Sequence, residues 1–118
     1  MEYIKYIVIA VIVIYFITRM FPTNVRNITS AQLKGELNDK NKQFVDVRTS
    51  GEYKGNHIRQ FQNIPLQLLE QKINQLSKDK EIVVICQSGM RSNKACKILK
   101  KRGFKHVTNV KGGMSAWS

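Results

Sequence analysis

Ile82, Val83, Val84 and Ile85 form an unbroken β-branched run between Glu81 and the thiol of Cys86. A strand with an apolar side chain at every position needs cover on both faces of its sheet. That is the pattern of a parallel strand inside an α/β fold rather than of a half-solvated antiparallel one. Its neighbours alternate in kind, as a parallel sheet requires. Ile28–Thr29 reads as a short edge strand, and Ser30 is a good N-cap for a helix over Ala31–Leu37. Phe44–Val47 is a strand that ends in the polar loop Arg48–Glu52, and Phe61–Ile64 is another, closed by Pro65. Leu66, Leu69, Ile73 and Leu76 recur at helical spacing over Leu66–Leu76. Ser92–Lys101 is a helix stopped by Gly103, Val107–Val110 a last strand, and Gly112–Gly113 opens a closing turn. An open, mostly parallel sheet follows. In such sheets ligands bind beyond the carboxyl ends of the strands.

The chain has 118 residues, enough for one compact domain. It is 42% apolar and 24% charged, which excludes a disordered tail. Two cysteines cannot make the disulfide framework of a small secreted scaffold. His57 and His106, the only histidines, lack the spacing of a structural zinc site.

A second apolar run lies at the N-terminus, where Tyr6–Ile17 carries no charge and Lys5 and Arg19 bracket it. A helix that is apolar on every face must be buried all round, and a domain of ~100 residues has no core to hold it. The uncharged stretch is short for a membrane span, but lysine and arginine can snorkel and the flanking tyrosines suit an interface. Tyr3 to Phe21 then suffices. No small-x-small cleavage site follows Ile17, which argues against a signal peptide, and the length argues against a buried strand. The expected organisation is therefore a transmembrane anchor over 1–22, a linker over 23–27 and a domain over 28–118. Arg19, Arg26 and Lys34 follow the span, whereas only Lys5, offset by Glu2, precedes it. The globular part is thus expected on the cytoplasmic side.

The net charge of +12 is lopsided. From Cys86 to Ser118 there are eight Lys or Arg and no Asp or Glu, and six of the eight (Lys94, Lys97, Lys100, Lys101, Arg102, Lys105) lie on or just after one helix. Such a face can be plain solvated helix exterior, can meet anionic lipid, or can steer anionic small molecules and carrier proteins. Without interleaved aromatics or a recognised binding motif, a nucleic-acid partner is not expected.

The chemistry centres on Cys86, at the carboxyl end of the buried strand. Gln87, Ser88, Gly89, Met90 and Arg91 follow, and then a helix. A tight loop entering a helix N-terminus turns backbone N–H groups inward and makes an anion-binding concavity. A cysteine there has a lowered pKa. Gly89 permits the curvature, and Arg91 adds a permanent charge at the far end. The site suits a sulfur nucleophile that stays anionic after taking up another sulfur atom. Cys96 shares a helical face with Ser92, Ala95 and Leu99 and reads as core, with a resolving thiol as the alternative.

Cys86–Ser92 (Cys-Gln-Ser-Gly-Met-Arg-Ser) resembles the active-site loop of single-domain rhodaneses. So do Val45–Tyr53, Gly55–Ile58, Asn63–Leu66 and the closing Lys111–Trp117, five blocks in family order across Ile28–Trp117. The usual Gly-His-Ile-Pro-Gly turn departs from the pattern here, reading Gly55, Asn56, His57, Ile58, Arg59, Gln60. The resemblance implies a rhodanese-like open five-stranded parallel sheet flanked by helices. It also implies a sulfurtransferase without a cofactor, working by ping-pong chemistry. Cys86 takes the outer sulfur of thiosulfate or a persulfide and passes it to a thiol, cyanide or a carrier protein. Asp46 and Arg48 are expected to support the loop, Asp46 by accepting hydrogen bonds or pairing with an arginine, Arg48 by an ion pair with Glu52. His57 is expected to anchor its turn rather than to catalyse. Phosphatases and arsenate reductases of this fold have a loop one residue longer than the six from Cys86 to Arg91, so they are the alternative enzymes. A rhodanese-like interaction or regulatory module is the non-catalytic one.

Overall fold

A computed structural model of the chain describes residues 2–20 and 25–118, with side chains from Glu2 to Ile17 and from Val25 onward. Five strands make one parallel sheet: β1 (Arg26–Ile28), β2 (Lys42–Asp46), β3 (Gln62–Asn63), β4 (Glu81–Ile85) and β5 (Val107–Val110), in the order β1-β5-β4-β2-β3. The β-branched run is the central strand. Ile82 and Val84 enter one core with Val45, Leu69, Ala95, Leu99 and Val107. Val83 and Ile85 enter the other, with Ile28, Leu33, Phe44, Phe61 and Val110. Burial on both faces is what the unbroken apolar pattern demands.

Helix α1 runs from Glu2 to Met20, and its side chains from Glu2 to Ile17 are all exposed. The expected transmembrane anchor is not supported: among the described residues no helix is long and apolar enough to cross a membrane. The charge-free run Tyr6–Ile17 covers roughly 18 Å at about 1.5 Å per residue, against about 30 Å of hydrocarbon. The extension to Phe21, and Pro22–Asn24 of the expected linker, lie outside the described residues. Arg26 and Asn27 are not linker but the start of β1.

Local chemistry moves several other boundaries. Helix α2 (Ser30–Glu36) is capped by Thr29 rather than Ser30, in a capping box with Gln32 (3.1 and 2.8 Å). The Ser30 hydroxyl instead donates to the Ala116 carbonyl. The polar loop after β2 includes an additional helix, α3 (Ser50–Gly55), started by a Thr49/Glu52 capping box. Leu66–Leu76 is not one helix but two 3₁₀ turns, Leu66–Leu68 and Ile73–Gln75. The apolar pairs 66/69 and 73/76 each have the three-residue spacing that eclipses in a 3₁₀ turn. Helix α4 (Met90–Lys101) begins two residues earlier than its apolar pattern suggests, because Gly89 at φ 108° forms its cap. The register aligns Asp46 with Ile85, so β2 and β4 end together and Cys86 emerges at that edge.

Candidate active site

Three backbone segments build the pocket around Cys86. The first is the loop itself. The Gly89 N–H points at Sγ (2.9 Å) and the Ser92 hydroxyl lies 3.4 Å from it, while that hydroxyl also donates to the Gly89 carbonyl (3.0 Å). Burial pushes the Cys86 thiol up, but hydrogen bonds from the Ser92 hydroxyl and from the N–H groups of Ser92, Gly89 and Ser88 outweigh it. The thiol is left below its ordinary value, as three converging amides should leave it. Cys86 has no exposed surface (0%), so the sulfur sits beneath the loop rather than at its mouth.

The second segment is the closing turn. Met114 N–H donates to the Cys86 carbonyl (2.8 Å) and Ser115 N–H to the Gln87 carbonyl (2.9 Å). With both carbonyls held outward, the amides that follow face the sulfur. Gly113, at φ 56°, makes this approach possible. A Cβ there would fall on the Cys86 carbonyl oxygen and within 2.9 Å of the carbonyl carbons of Cys86 and Gln87. The motif Lys111–Trp117 contained this residue, but only the packed backbone shows what its bareness is for. Met114 is buried in that cap, and Trp117 is half-buried against it with Lys34 over its ring (5.4 Å).

The third segment follows β2. Asp46 (0% exposed) and Arg48 (3%) form a buried ion pair, with Arg48 Nε 3.1 Å from both carboxylate oxygens and Nη2 2.9 Å from Oδ2. Arg48 Nη2 also donates to the Asn56 carbonyl (2.6 Å), and Nη1 to Gln87 Oε1 (3.4 Å). The pair thus touches the loop through Gln87, whose amide donates on to Ser115 Oγ (3.3 Å). The expected Arg48–Glu52 pair does not form. Glu52 closes the α3 capping box and takes Arg91 instead, by two bonds of 2.7 and 2.9 Å. Glu52 is held down at about 2, first by Arg91 and then by the Thr49 N–H. Arg91 is therefore a tether from the loop to α3 whose charge is largely matched, not an open cation.

The remaining side chains fall away from the sulfur. Gln87, Ser88 and Met90 are exposed, Met90 most of all. His57 stacks on Tyr53 (3.8 Å between ring centres) and bonds its carbonyl through Nδ1 (2.7 Å), which anchors the turn. Asn63, which heads the Asn63–Leu66 block, donates to the carbonyls of Asp46 (3.0 Å) and Arg48 (2.9 Å) and fixes the end of β2, a role its place in that block does not spell out. Cys96 is core, and burial followed by the nearby Cys86 charge pushes it up to about 12. Among the described residues no group of three His, Cys, Asp or Glu side chains could hold a metal ion.

A parallel five-stranded sheet with a cysteine loop at its carboxyl edge defines a known class. The family model for the rhodanese-like domain matches residues 29–118, and the chain belongs to that family. A sulfurtransferase of Allochromatium vinosum is 34% identical over 95 residues, covering 80% of this chain and 89% of that one. The uncharacterized protein YqhL of Bacillus subtilis is 40% identical over 75 residues, and the match spans 64% of this chain but only 60% of YqhL. The crystal structure of a rhodanese-like domain protein from Staphylococcus aureus has a TM-score of 0.74 and 34% identity, over 80% of this chain and 92% of that one. At the level of the family, the chemistry is sulfur transfer.

Proposed function

We propose that the protein moves sulfane sulfur from thiosulfate or a persulfide to a nucleophilic acceptor through a persulfide on Cys86. The observation that carries this reading is the thiol with amides aimed at it and a lowered pKa. The Cys86 thiolate attacks the outer sulfur of the donor. The S–S bond of the donor breaks, and its electron pair leaves with sulfite or a thiolate. The terminal sulfur on Cys86 is an anion that the amides of Ser88, Gly89 and Ser92 suit. An acceptor (a thiol, cyanide or a carrier protein) then attacks that sulfur, and the pair returns to Sγ. Because Cys86 is covered, the segment Gln87–Met90 must open to admit either partner. Asp46 and Arg48 act as positioning residues through Gln87.

Mass spectrometry of the protein after exposure to thiosulfate tests this. The expected result is one added sulfur atom on the Cys86 peptide, absent in Cys86→Ala. A second reading, an interaction module without turnover, is favoured by the covered thiol alone, and an unaltered Cys86 under every donor would select it. The exposed Lys94, Lys97 and Lys101 give the domain a basic face that draws in anionic donors. A rate of thiosulfate transfer indifferent to ionic strength would exclude that role.

A further inference from the structure

The outer face of α4 presents a single line of side chains. Met90, Lys94, Lys97 and Lys101 follow one another at steps of four, three and four residues, which stacks them on one side of a helix. All four are exposed, whereas Ser92, Ala95, Cys96 and Leu99 are buried on the other side. The three lysines make no ion pair among the described residues. The carboxylates that reach α4 and its C-cap go elsewhere, Glu52 to Arg91 and Glu70 to Arg102. No Asp or Glu follows Cys86 in the chain. The apolar end of the line is as unusual as its charge. Apart from the side chains of α1, the exposed large hydrophobic residues are Met90 (75%) and Leu68 (36%). Met90 opens α4, and Leu68 lies on the 3₁₀ turn that packs against that helix. An apolar spot that continues into unpaired charge has the make-up of a protein interface, apolar at its anchor and charged at its rim.

The length of the line indicates what covers it. At about 1.5 Å per residue it runs roughly 16 Å from Met90 to Lys101, beyond the reach of thiosulfate or of one small thiol. Its apolar end is also its catalytic end, because Met90 follows Gly89, whose N–H is 2.9 Å from Cys86 Sγ. A lipid bilayer would match the charge but has no thiol to bring to that end. An acidic polypeptide with a cysteine matches both. We infer that this face of α4 docks a polypeptide sulfur acceptor, apolar beside its thiol and acidic along the segment that meets Lys94, Lys97 and Lys101. The inference rests on the sulfurtransferase reading and adds the class of the acceptor and its seat. The three lysines stand on the body of the helix, outside the segment that opens, so the seat persists while the loop moves. In the step it serves, the acceptor thiolate attacks the outer sulfur of the Cys86 persulfide. A new S–S bond forms, the Sγ–S bond breaks, its pair returns to Sγ, and the acceptor departs as a persulfide. No outside oxidant or reductant is needed.

Two synthetic peptides make the test. Each has a leucine beside its single cysteine; one carries three glutamates at the spacing of the lysines, and its twin has glutamines there. The full chain is loaded with sulfur from thiosulfate, freed of donor, and discharged at low ionic strength with a subsaturating amount of either peptide, or with dithiothreitol. Loss of the added sulfur is followed by mass spectrometry. The acidic peptide is expected to discharge Cys86 about tenfold faster than its twin, from three surface ion pairs of about a factor of two each. That ratio falls to near one when Lys94→Gln, Lys97→Gln and Lys101→Gln are combined. It is kept when three exposed lysines just before β2 and β4 are changed instead, by Lys40→Gln, Lys78→Gln and Lys80→Gln. A wild-type ratio near one, a ratio unchanged in the first triple variant, or an equal loss in both variants overturns the docking face, while discharge by dithiothreitol leaves the sulfurtransferase reading standing. A wild-type ratio near one together with phosphatidylglycerol vesicles that bind the wild type better than the first variant overturns it in favour of lipid. Failure of Cys86 to load sulfur at all overturns both readings.

Discussion

Removing one hydroxyl tests the electrostatics of the loop most directly. Ser92 is fully buried, and its Oγ is 3.4 Å from Cys86 Sγ. In the thiol form, S–H donates to this hydroxyl, which passes its own proton toward the Gly89 carbonyl (3.0 Å). In the thiolate form the hydroxyl turns and donates to sulfur. A hydrogen bond to a charged group contributes about 1.5–3 kcal/mol. The 3.4 Å separation puts this one at the lower end, about a factor of ten in an equilibrium constant. Ser92→Ala should therefore raise the midpoint of Cys86 ionisation. Little else changes, because the Gly89 carbonyl keeps its bond from the Asn93 N–H (3.1 Å). The assay is the pH dependence of alkylation by iodoacetamide. Cys96 does not interfere, since it stays protonated to about 12. Where the wild-type thiol is still ionising, the variant should react roughly tenfold more slowly, with comparable rates on the alkaline plateau. Coincident midpoints would refute the view that Ser92 holds the thiolate.

Gly113→Ala should be severely destabilising, because the new methyl meets backbone rather than a movable side chain and φ is positive; a loss of about 3 kcal/mol or more in urea denaturation is expected. Asp46→Asn leaves the buried Arg48 without its counter-charge and should cost about 3–5 kcal/mol, a fall of more than ~10 °C in melting temperature by calorimetry. Glu36 is held at about 2, first by Arg26 and then by Lys42, against an ordinary 4.5. Its contribution is therefore complete above about pH 5 and is lost as pH falls toward 2, the sign for a depressed carboxyl. With 18% of the side chain exposed, the contribution is about 1–2 kcal/mol after screening, and Glu36→Gln should flatten the acid limb of the stability curve by that amount.

The sheet was legible because Ile82–Ile85 has no polar face, and the position of Cys86 followed from where that run stops. The loop's N–H geometry was legible too, as a strand-to-helix turn with Gly89 admits few shapes. Helix α3 was missed although Thr49 and Glu52 spell a capping box, because two glycines in six residues mask the helical pattern. The ion pairs were harder. Arg48 has a carboxylate on either side, Asp46 and Glu52, and turns inward to Asp46, while Arg91 reaches Glu52 from 39 residues away. Partner choice among several charges depends on which side chain the sheet edge turns inside, and no local pattern encodes that. The hydrogen-bonded cluster of Asn27, Asn93 and Asn109 was invisible for the same reason, since its members come from three separate elements.

The double fastening of the Cys86 and Gln87 carbonyls to Met114 and Ser115 bears on how this architecture diversifies. A ring stapled at two consecutive peptides cannot grow by one residue unless the staple moves as well. Any drift from sulfur toward a bulkier tetrahedral substrate would therefore require matched changes in the tail that follows Lys111, so the reach of the nucleophile is set as firmly by the end of the chain as by the loop that carries it.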